Sequence, residues 1–359
     1  MKKSYKQIAL WFVFVVSLLA AGMSKTIFTE KEKKPYYLEM EKAASLASEW
    51  FETIHNEKVK IGVVGNEYKG LRYGGLMGLE YSYITTTLGS VEAKQTAINP
   101  EFAALTYMWL KELEIDSTST IGVNISGSFP SLSIAVLAAI QSLGAEAVLI
   151  SSIGASSFGA NDTKATWLDI ENLLIKKSGL KYKSVITTPG GINDNGGGLQ
   201  PEGIEQIKEA AKRCMRELFI PADLNEAADI RIKTFSEHNV NVLINIGGNH
   251  PSLGSCSHSW QIPNGLIKDY TPCKDKGRSF LFHFIEKDVP VIHFLNIKEI
   301  AAAYGFPISP VKIFNKPVNV YYDTTMKKTP VVVSVLVILT SLFLLSEKKI
   351  LRRKKSNEV

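Results

Sequence analysis

The sequence has few cysteines and histidines, which limits the kinds of site it can form. Among 359 residues there are 3 cysteines and 6 histidines. Three cysteines cannot build a full disulfide framework, although Cys256 and Cys273 could pair and leave Cys214 as a buried thiol. His250 and His258 lie near that pair, but the spacing matches no zinc motif. We therefore predict neither a metal nor another cofactor.

Several nucleotide-binding and hydrolase motifs are also missing. The chain has no G-x-x-x-x-G-K-[ST] sequence, and the glycines of residues 74–78 do not follow a strand pattern. Neither a P-loop nor a dinucleotide-binding fold is therefore indicated. Residues 154–159 miss the G-x-S-x-G nucleophile pattern by one position. The chain lacks a basic stripe with interleaved aromatic residues, so nucleic acid is not expected as a partner.

Charged side chains are absent from two long apolar segments. Residues 7–24 and 329–346 each form a run of 18 uncharged residues, and a helix of that length is about 27 Å long. That length is just enough to cross a hydrocarbon core. Lysine-rich tails flank both segments at their outer ends, and the positive-inside rule places such tails in the cytoplasm. The sequence therefore predicts N- and C-terminal transmembrane helices in the cell membrane, with both termini cytoplasmic and the bulk of the chain extracytoplasmic.

The first apolar segment has an alternative interpretation. A cleavable signal peptide ends at a small-x-small site, which Ala20, Ala21 and Gly22 match only weakly. No cysteine follows these residues, so a lipoprotein anchor is excluded.

The two basic tails together have a larger net positive charge than the whole chain, whose net charge is +6. The pI of about 8.9 is thus a signal of membrane orientation, and the middle of the chain is slightly acidic.

Between the apolar segments the pattern is typical of an α/β fold with a mostly parallel sheet flanked by helices. Four continuous apolar runs are predicted to be buried strands, namely residues 120–126, 147–152, 240–246 and 289–295. Helical periodicity is found in residues 99–113, 130–143 and 201–218. The predicted organisation is a cytoplasmic tail (1–6), a transmembrane helix or uncleaved signal anchor (7–24), a stalk helix (25–58), an extracytoplasmic α/β domain (59–304), an extended connector (305–328), a transmembrane helix (329–346) and a basic cytoplasmic tail (347–359).

Polar segments that contain glycine follow the predicted strands. They are residues 126–130, 154–162, 189–196 and 247–250. Ligands of open α/β sheets bind at the carboxyl ends of the strands, so we expect these segments to form one crevice. Ser128 begins a helix, where free N–H groups favour an anion such as a carboxylate, although it could equally be a helix cap. Thr166 and Asp169 have the spacing of a capping box.

The candidate site residues come from these segments. The predicted ligand-binding residues are Ser126, Ser128, Asn161, Asp162 and Asp194. If the site is catalytic, its candidates are Ser128, Asp162, Asp194 and His250. The two aspartates could form an acid/base pair or an oxygen-ligand site for a divalent cation.

Five motifs, taken in order, resemble the poly-gamma-glutamate system protein family. They are residues 81–89 (Tyr-Ser-Tyr-Ile-Thr-Thr-Thr-Leu-Gly), 99–104 (Asn-Pro-Glu-Phe-Ala-Ala), 126–130, 154–162 with 166–171 (Thr-Trp-Leu-Asp-Ile-Glu), and 198–203 (Gly-Leu-Gln-Pro-Glu-Gly). The resemblance covers residues 60–270. It departs from the family pattern at Gln200, where a serine cap is expected, and in the cysteines and histidines after Gly248.

This resemblance implies a membrane-anchored component of a bacterial poly-gamma-glutamate synthesis and export system, associated with capsule biosynthesis. The implied partners are the membrane poly-gamma-glutamate synthase components, the gamma-glutamyl polymer and the membrane itself. An alternative function is that of an extracytoplasmic hydrolase or amide-transfer enzyme acting on the polymer. A structural stalk unrelated to glutamate polymers is a third possibility. The sequence leaves open whether the protein is catalytic.

Overall fold

The computed structural model describes residues 29–255, 262–268, 270, 279–309 and 319–328, with parts of the two apolar segments (11–15, 17–19, 332–333, 335–336, 338–340 and 343). The chain divides into two compact units, Met1–Pro35 with Tyr321–Val359 and Tyr36–Val320. Cys256 and Cys273, which could pair according to the sequence, and the neighbouring His258 lie outside the described residues. Cys214 is a free, buried thiol.

The strands are, in chain order, β1 (Thr29–Lys33), β2 (Thr120–Ser126), β3 (Glu146–Ser152), β4 (Ser184–Thr188), β5 (Val242–Ile246), β6 (Gly265–Ile267), β7 (Val291–Phe294) and β8 (Tyr322–Met326). The helices are α1 (Tyr37–Lys60), α2 (Val91–Ala97), α3 (Glu101–Glu112), α4 (Pro130–Leu143), α5 (Trp167–Ser178), α6 (Pro201–Arg213), α7 (Leu224–Glu237), α8 (His250–Leu253), α9 (Phe280–Ile285) and α10 (Ile297–Tyr304).

The unit formed by the two ends of the chain contains a two-stranded antiparallel sheet. Strand β1 pairs with β8 in a register that places Thr29 opposite Met326. The ammonium of Lys34, the residue after β1, contacts the Asp323 carboxylate of β8 at 2.5 Å. Part of the predicted stalk and part of the predicted connector are therefore paired strands in this unit.

The predicted terminal transmembrane helices are wrong. A spanning helix needs about 20 consecutive apolar residues. No helix among the described residues is both long and apolar enough to cross a membrane. Much of both segments lies outside the described residues.

The larger unit is an α/β fold around a six-stranded sheet, as the alternating pattern predicts. The strand order is β4-β3-β2-β5-β7-β6. The first five strands run parallel, whereas β6 is antiparallel to β7, so the sheet is mixed. The chain moves outward from β2 through β3 to β4 and then returns to β5 on the other side of β2. The switch point between β2 and β5 is where doubly wound sheets bind ligands.

Helices cover both faces of this sheet. Phe294 of β7 contacts Phe102 and Trp109 of α3, and α3 packs with α1 and α4 on the same face. The opposite face carries an apolar cluster in which Leu243 lies with Phe235 of α7 and Phe280 of α9. The side chains of Trp50 and Phe51 in α1 are buried, so this helix belongs to the core of the larger unit.

Local signals explain where the helices next to the site begin and end. Helix α4 starts with Pro130 in its first turn and ends at Gly144, whose φ of 80° is the left-handed conformation that glycine adopts easily. Helix α5 starts with the predicted capping box, which is confirmed: the Thr166 backbone N–H donates to Asp169 Oδ2 at 2.9 Å. These caps place the preceding loops at the carboxyl ends of β2 and β3.

Candidate functional site

A cavity of about 580 Å³ lies at the carboxyl ends of the parallel strands. The loops after β2, β3, β4 and β5 all contribute to its wall, together with α2 and the segment before it. Its size is within the range of small-molecule binding sites. The cavity therefore occupies the crevice in which the strand order predicts a ligand site.

Three serines of this wall are joined by hydrogen bonds. Ser126 ends β2, Ser128 precedes α4, and Ser156 follows β3. The hydroxyl of Ser126 donates to Ser128 Oγ at 3.0 Å, and the backbone N–H of Ser156 donates to the same oxygen at 3.0 Å. Ser128 therefore connects the loops after β2 and β3, and its Oγ accepts these bonds instead of capping α4.

Lys94 supplies the positive charge of the cavity. It lies on α2, is only 4% exposed and lines the cavity. The Nζ atom donates to the carbonyl oxygen of Ser128, lies 2.7 Å from Ser156 Oγ, and is 3.7 Å from the centre of the Phe129 ring. Burial lowers the pKa of Lys94 from 10.5 to about 7, because the charged form loses its hydration.

Acidic side chains do not balance this charge. Among the described residues that line the cavity there is no aspartate and no glutamate, and Lys94 forms no ion pair with any described carboxylate. The nearest acid along α2, Glu92, instead pairs with Lys298 at 2.7 Å. A buried cation without a counter-ion is costly, so an anionic ligand would be stabilised there.

The loop after β5 forms the opposite side of the cavity. Asn249 Oδ1 accepts from the backbone N–H of Ser252 at 3.3 Å and from Asn124 Nδ2 at 3.4 Å, which orients the amide. Its Nδ2 atom is buried without an acceptor in the described structure. His250 also lines the cavity, and its Nδ1 accepts from the Asn193 backbone N–H at 3.3 Å. This side thus offers an amide donor without an acceptor and an exposed imidazole.

Asn161, predicted as a ligand-binding residue, instead holds two segments of the protein together. Its side chain is fully buried and does not line the cavity. The Oδ1 atom accepts from the Leu79 backbone N–H at 2.9 Å, and Nδ2 donates to the Leu79 carbonyl at 2.8 Å and to Thr85 Oγ1 at 2.9 Å. These bonds attach residues 79–85 to the loop after β3.

Replacing Asn161 by alanine is expected to lower the free energy of unfolding by about 2 kcal/mol, because three partly buried hydrogen bonds lose one partner. Denaturant unfolding of the full-length chain measures this change. Asn56→Ala, at an exposed position of α1, is the control and should change stability by less than about 0.5 kcal/mol. Equal stability of the two variants would contradict the assignment.

Asp162 is likewise not among the described residues that line the cavity. Its side chain is 8% exposed, and Oδ1 accepts from the Lys164 backbone N–H at 2.9 Å. The carboxylate lies near the buried Lys58 of α1. Burial lowers the pKa of Lys58 to about 8, and the negative charge of Asp162 opposes that shift. This aspartate therefore interacts with α1, outside the cavity.

Asp194, the other predicted acid, is fully buried beside Arg231 of α7. The Arg231 guanidinium approaches Asp194 Oδ2 to 2.8 Å, but without hydrogen-bond geometry, so neither carboxylate oxygen accepts a hydrogen bond from a described residue. Arg231 also donates to Asn124 Oδ1 at 2.8 Å. The pair ties the loop after β4 to α7 and the centre of the sheet. Asp162 and Asp194 thus contact different partners.

A row of polar side chains continues from Asn124 across the central strands. Asn124 Nδ2 donates to Asn245 Oδ1 at 2.7 Å, and Asn245 Nδ2 lies 3.0 Å from His293 Nδ1. All three side chains are fully buried. Burial lowers the pKa of His293 to about 4, so this imidazole is neutral near pH 7. The row joins the Asn249 side of the cavity to the Asp194–Arg231 pair through uncharged contacts.

The structure thus brings together Ser126, Ser128 and His250 from the predicted set and separates Asn161, Asp162 and Asp194 from them. Their assignment to binding or catalysis stays a prediction. Sequence reasoning missed Lys94 and did not single out Ser156. The near match to a nucleophile pattern at residues 154–159 was a weak signal for Ser156. For Lys94 there was none, since a lysine on a short amphipathic helix is ordinarily solvated.

Among the described residues there is no group of three or more histidines, cysteines and acids that could hold a metal ion. Comparisons of the chain with protein-family models, with curated proteins and with solved structures each gave no match.

Proposed function

We propose that this chain is a component of a bacterial poly-gamma-glutamate synthesis and export system and that its strand-end cavity binds the gamma-glutamyl polymer. In this proposal it acts at the extracytoplasmic side of the cell membrane, with the membrane polymer synthase as its partner. The motifs that resemble the poly-gamma-glutamate system protein family support this system. Two of those motifs, residues 126–130 and 154–162, provide serines of the cavity wall.

The observation that carries the binding role is the buried Lys94 in a wall whose described residues include no acid. Gamma-linked polyglutamate has one free carboxylate on every residue, and its main chain has amide groups and methylenes. A carboxylate would supply the counter-ion that Lys94 lacks among the described residues. The exposed side chains of Leu88 and Ile192 at the cavity wall offer apolar surface for the methylenes.

The neutral donors of the cavity fit the same ligand. The Asn249 Nδ2 group has no acceptor in the described structure, and the Ser128 hydroxyl accepts two hydrogen bonds while its own hydrogen stays available. The larger unit as a whole has no excess of positive charge in its sequence. Binding would therefore depend on this cavity more than on long-range attraction of a polyanion.

Replacing Lys94 by methionine should weaken the binding of gamma-linked glutamate oligomers roughly ten- to hundredfold, the usual effect of losing a hydrogen bond to a charged group. Isothermal titration calorimetry with the full-length chain measures the affinity. Because methionine removes a buried charge and keeps the length of the side chain, the melting temperature should not fall. Weaker binding without loss of stability distinguishes a ligand contact from a structural role.

Lys208→Met is the matched control, since it removes the same charge from an exposed ion pair with Glu205 on α6. Its affinity for the oligomers should equal that of the wild type. Alpha-linked glutamate oligomers of equal length test whether the affinity depends on the type of linkage or on the number of charges alone. Equal losses in both lysine variants, or equal affinity for both linkages, would show that binding is bulk electrostatics and would overturn the proposal.

A further inference from the structure

We propose that Ser156 and Lys94 form a nucleophile and general-base pair that cleaves an amide bond of the bound chain. The substrate class rests on the proposed function, whereas the pair itself rests on geometry. The activity would be hydrolysis of a gamma-glutamyl amide, with water as the second reactant. None of the residues considered from sequence as a catalytic carboxylate takes part in it.

The two reacting side chains are already within proton-transfer distance. Ser156 Oγ lies 2.7 Å from Lys94 Nζ, both groups are more than nine-tenths buried, and both residues line the cavity. A nucleophile and its base are recognised by this contact, and serine–lysine pairs are a known variant of the catalytic triad. The sequence separation of 62 residues shows that the fold, not a local motif, creates the contact.

The backbone around Ser156 is held on both sides. The Ala155 N–H donates to the Ile84 carbonyl at 3.2 Å, and the Ser157 N–H donates to the Thr87 carbonyl at 3.0 Å. Gly89 packs directly against this turn: a Cβ atom there would lie 2.5 Å from the Ser157 carbonyl oxygen and 3.1 Å from Ser156 Oγ. Residues 84–89 therefore fix the position of the nucleophile, which catalysis by proximity requires.

Lys94 is able to act as the base because it is desolvated. Its Nζ atom faces the Ser128 carbonyl, the Ser156 hydroxyl and the Phe129 ring, and no described acid contacts it. His250 is the other titratable side chain among the described lining residues. Since the pKa of Lys94 is about 7, the neutral amine is well populated at neutral pH.

Ser128 is placed to stabilise the negative charge of the intermediate. Its Oγ accepts hydrogen bonds from the Ser126 hydroxyl and from the backbone N–H of Ser156, so its own hydrogen is left for a ligand. Side-chain hydroxyls can form part of an oxyanion hole. The direct link between Ser128 and the backbone of Ser156 places this donor next to the nucleophile.

The reaction balances with these groups and water. Ser156 Oγ forms a bond to the amide carbonyl carbon, and its proton passes to Lys94 Nζ. As the carbon–nitrogen bond breaks, Lys94 gives that proton to the leaving amine. Water then attacks the acyl ester and transfers a proton through Lys94 to Ser156 Oγ, which restores the hydroxyl and releases a carboxylic acid.

A fluorophosphonate probe tests the pair without the polymer, because the activated serine displaces fluoride and becomes covalently labelled. In the full-length wild type, peptide mass spectrometry should find the label on Ser156, and the labelling rate should rise as the pH increases through about 7. Ser156→Ala and Lys94→Met should both reduce labelling at least a hundredfold. Ser157→Ala is the matched control, since that hydroxyl is buried outside the cavity wall, and it should label at the wild-type rate.

Incubation with gamma-linked glutamate oligomers separates the two proposals. Ser156→Ala should bind the oligomers like the wild type but release no shorter fragments. Wild-type protein that binds oligomers yet neither cleaves them nor labels at Ser156 would overturn the catalytic pair and leave the binding function intact. Labelling at Ser156 without oligomer binding would support the pair and reject the polymer as its substrate.

Discussion

Replacing Arg231 by methionine is expected to lower the free energy of unfolding by about 3–5 kcal/mol. Arg231 and Asp194 are both fully buried and contact each other at 2.8 Å. The substitution leaves the Asp194 carboxylate in the interior without its counter-ion, and it removes the donor to Asn124 Oδ1. An uncompensated buried charge costs far more than an exposed one, so this is the largest stability effect that we expect.

Urea unfolding of the full-length chain measures the change. Lys208→Met removes an equal charge from an exposed pair and should alter stability by less than about 1 kcal/mol. Adding Asp194→Asn to Arg231→Met should restore part of the loss, since the double variant has no unpaired charge. A loss below about 1 kcal/mol for Arg231→Met alone, or no recovery in the double variant, would contradict the structural role of this pair.

The Arg231→Met variant also tests whether the Asp194–Arg231 contact holds the loop after β4 in place at the cavity. Asp194 lies in the loop after β4, and Gly190 and Gly191 of that loop line the cavity with φ values of 80° and 76°. Loss of the Arg231 contact should loosen this loop first. Hydrogen exchange of residues 189–198 should therefore increase in Arg231→Met at denaturant concentrations where the rest of the sheet stays protected.

The affinity for gamma-linked glutamate oligomers is expected to fall at least tenfold between pH 6 and pH 9. The pKa of Lys94 in the free protein is about 7, because its ammonium is buried. Polymer carboxylates are ionised throughout this range. An anion favours the protonated lysine, so the complex holds more protons than the free protein and its stability falls as the pH rises above 7.

Calorimetric titrations at several pH values measure this dependence. They should also detect proton uptake on binding near pH 7 to 8, because Lys94 is more protonated in the complex. Lys94→Met should bind the oligomers weakly, with an affinity that is nearly independent of pH. His250→Gln isolates the contribution of the other titratable side chain among the described lining residues and should retain the decline above pH 7. An affinity that is constant from pH 6 to 9 in the wild type would show that Lys94 does not interact with the ligand.

The pH dependence also distinguishes binding from catalysis at one lysine. The protonated amine attracts the anionic ligand, whereas the neutral amine accepts the proton of Ser156. Oligomer affinity should therefore decline over the pH interval in which fluorophosphonate labelling accelerates. Because a bound carboxylate raises the pKa of Lys94, cleavage of the oligomers should reach its full rate at a higher pH than fluorophosphonate labelling of the free protein.

The sequence by itself determined those strands, helices and helix caps that depend only on neighbouring residues. The apolar run at residues 120–126 is β2, and the periodic segment at 130–143 is α4, bounded by Pro130 and Gly144. The spacing of Thr166 and Asp169 likewise predicts the capping box at the start of α5. Such features depend on backbone conformation and side-chain caps within a few residues, so the local sequence is sufficient to predict them.

The tertiary structure alone decided which polar side chains form the cavity. Ser128, Asn161 and Asp194 all follow predicted strands. Yet Asn161 hydrogen-bonds to Leu79 and Asp194 forms an ion pair with Arg231, whereas Ser128 lines the cavity. Lys94 is buried beside Ser156 because residues far apart in the chain pack around α2. The burial and partner of a polar group depend on such long-range contacts, and these contacts, rather than residue type or spacing, set its charge state and its chemistry.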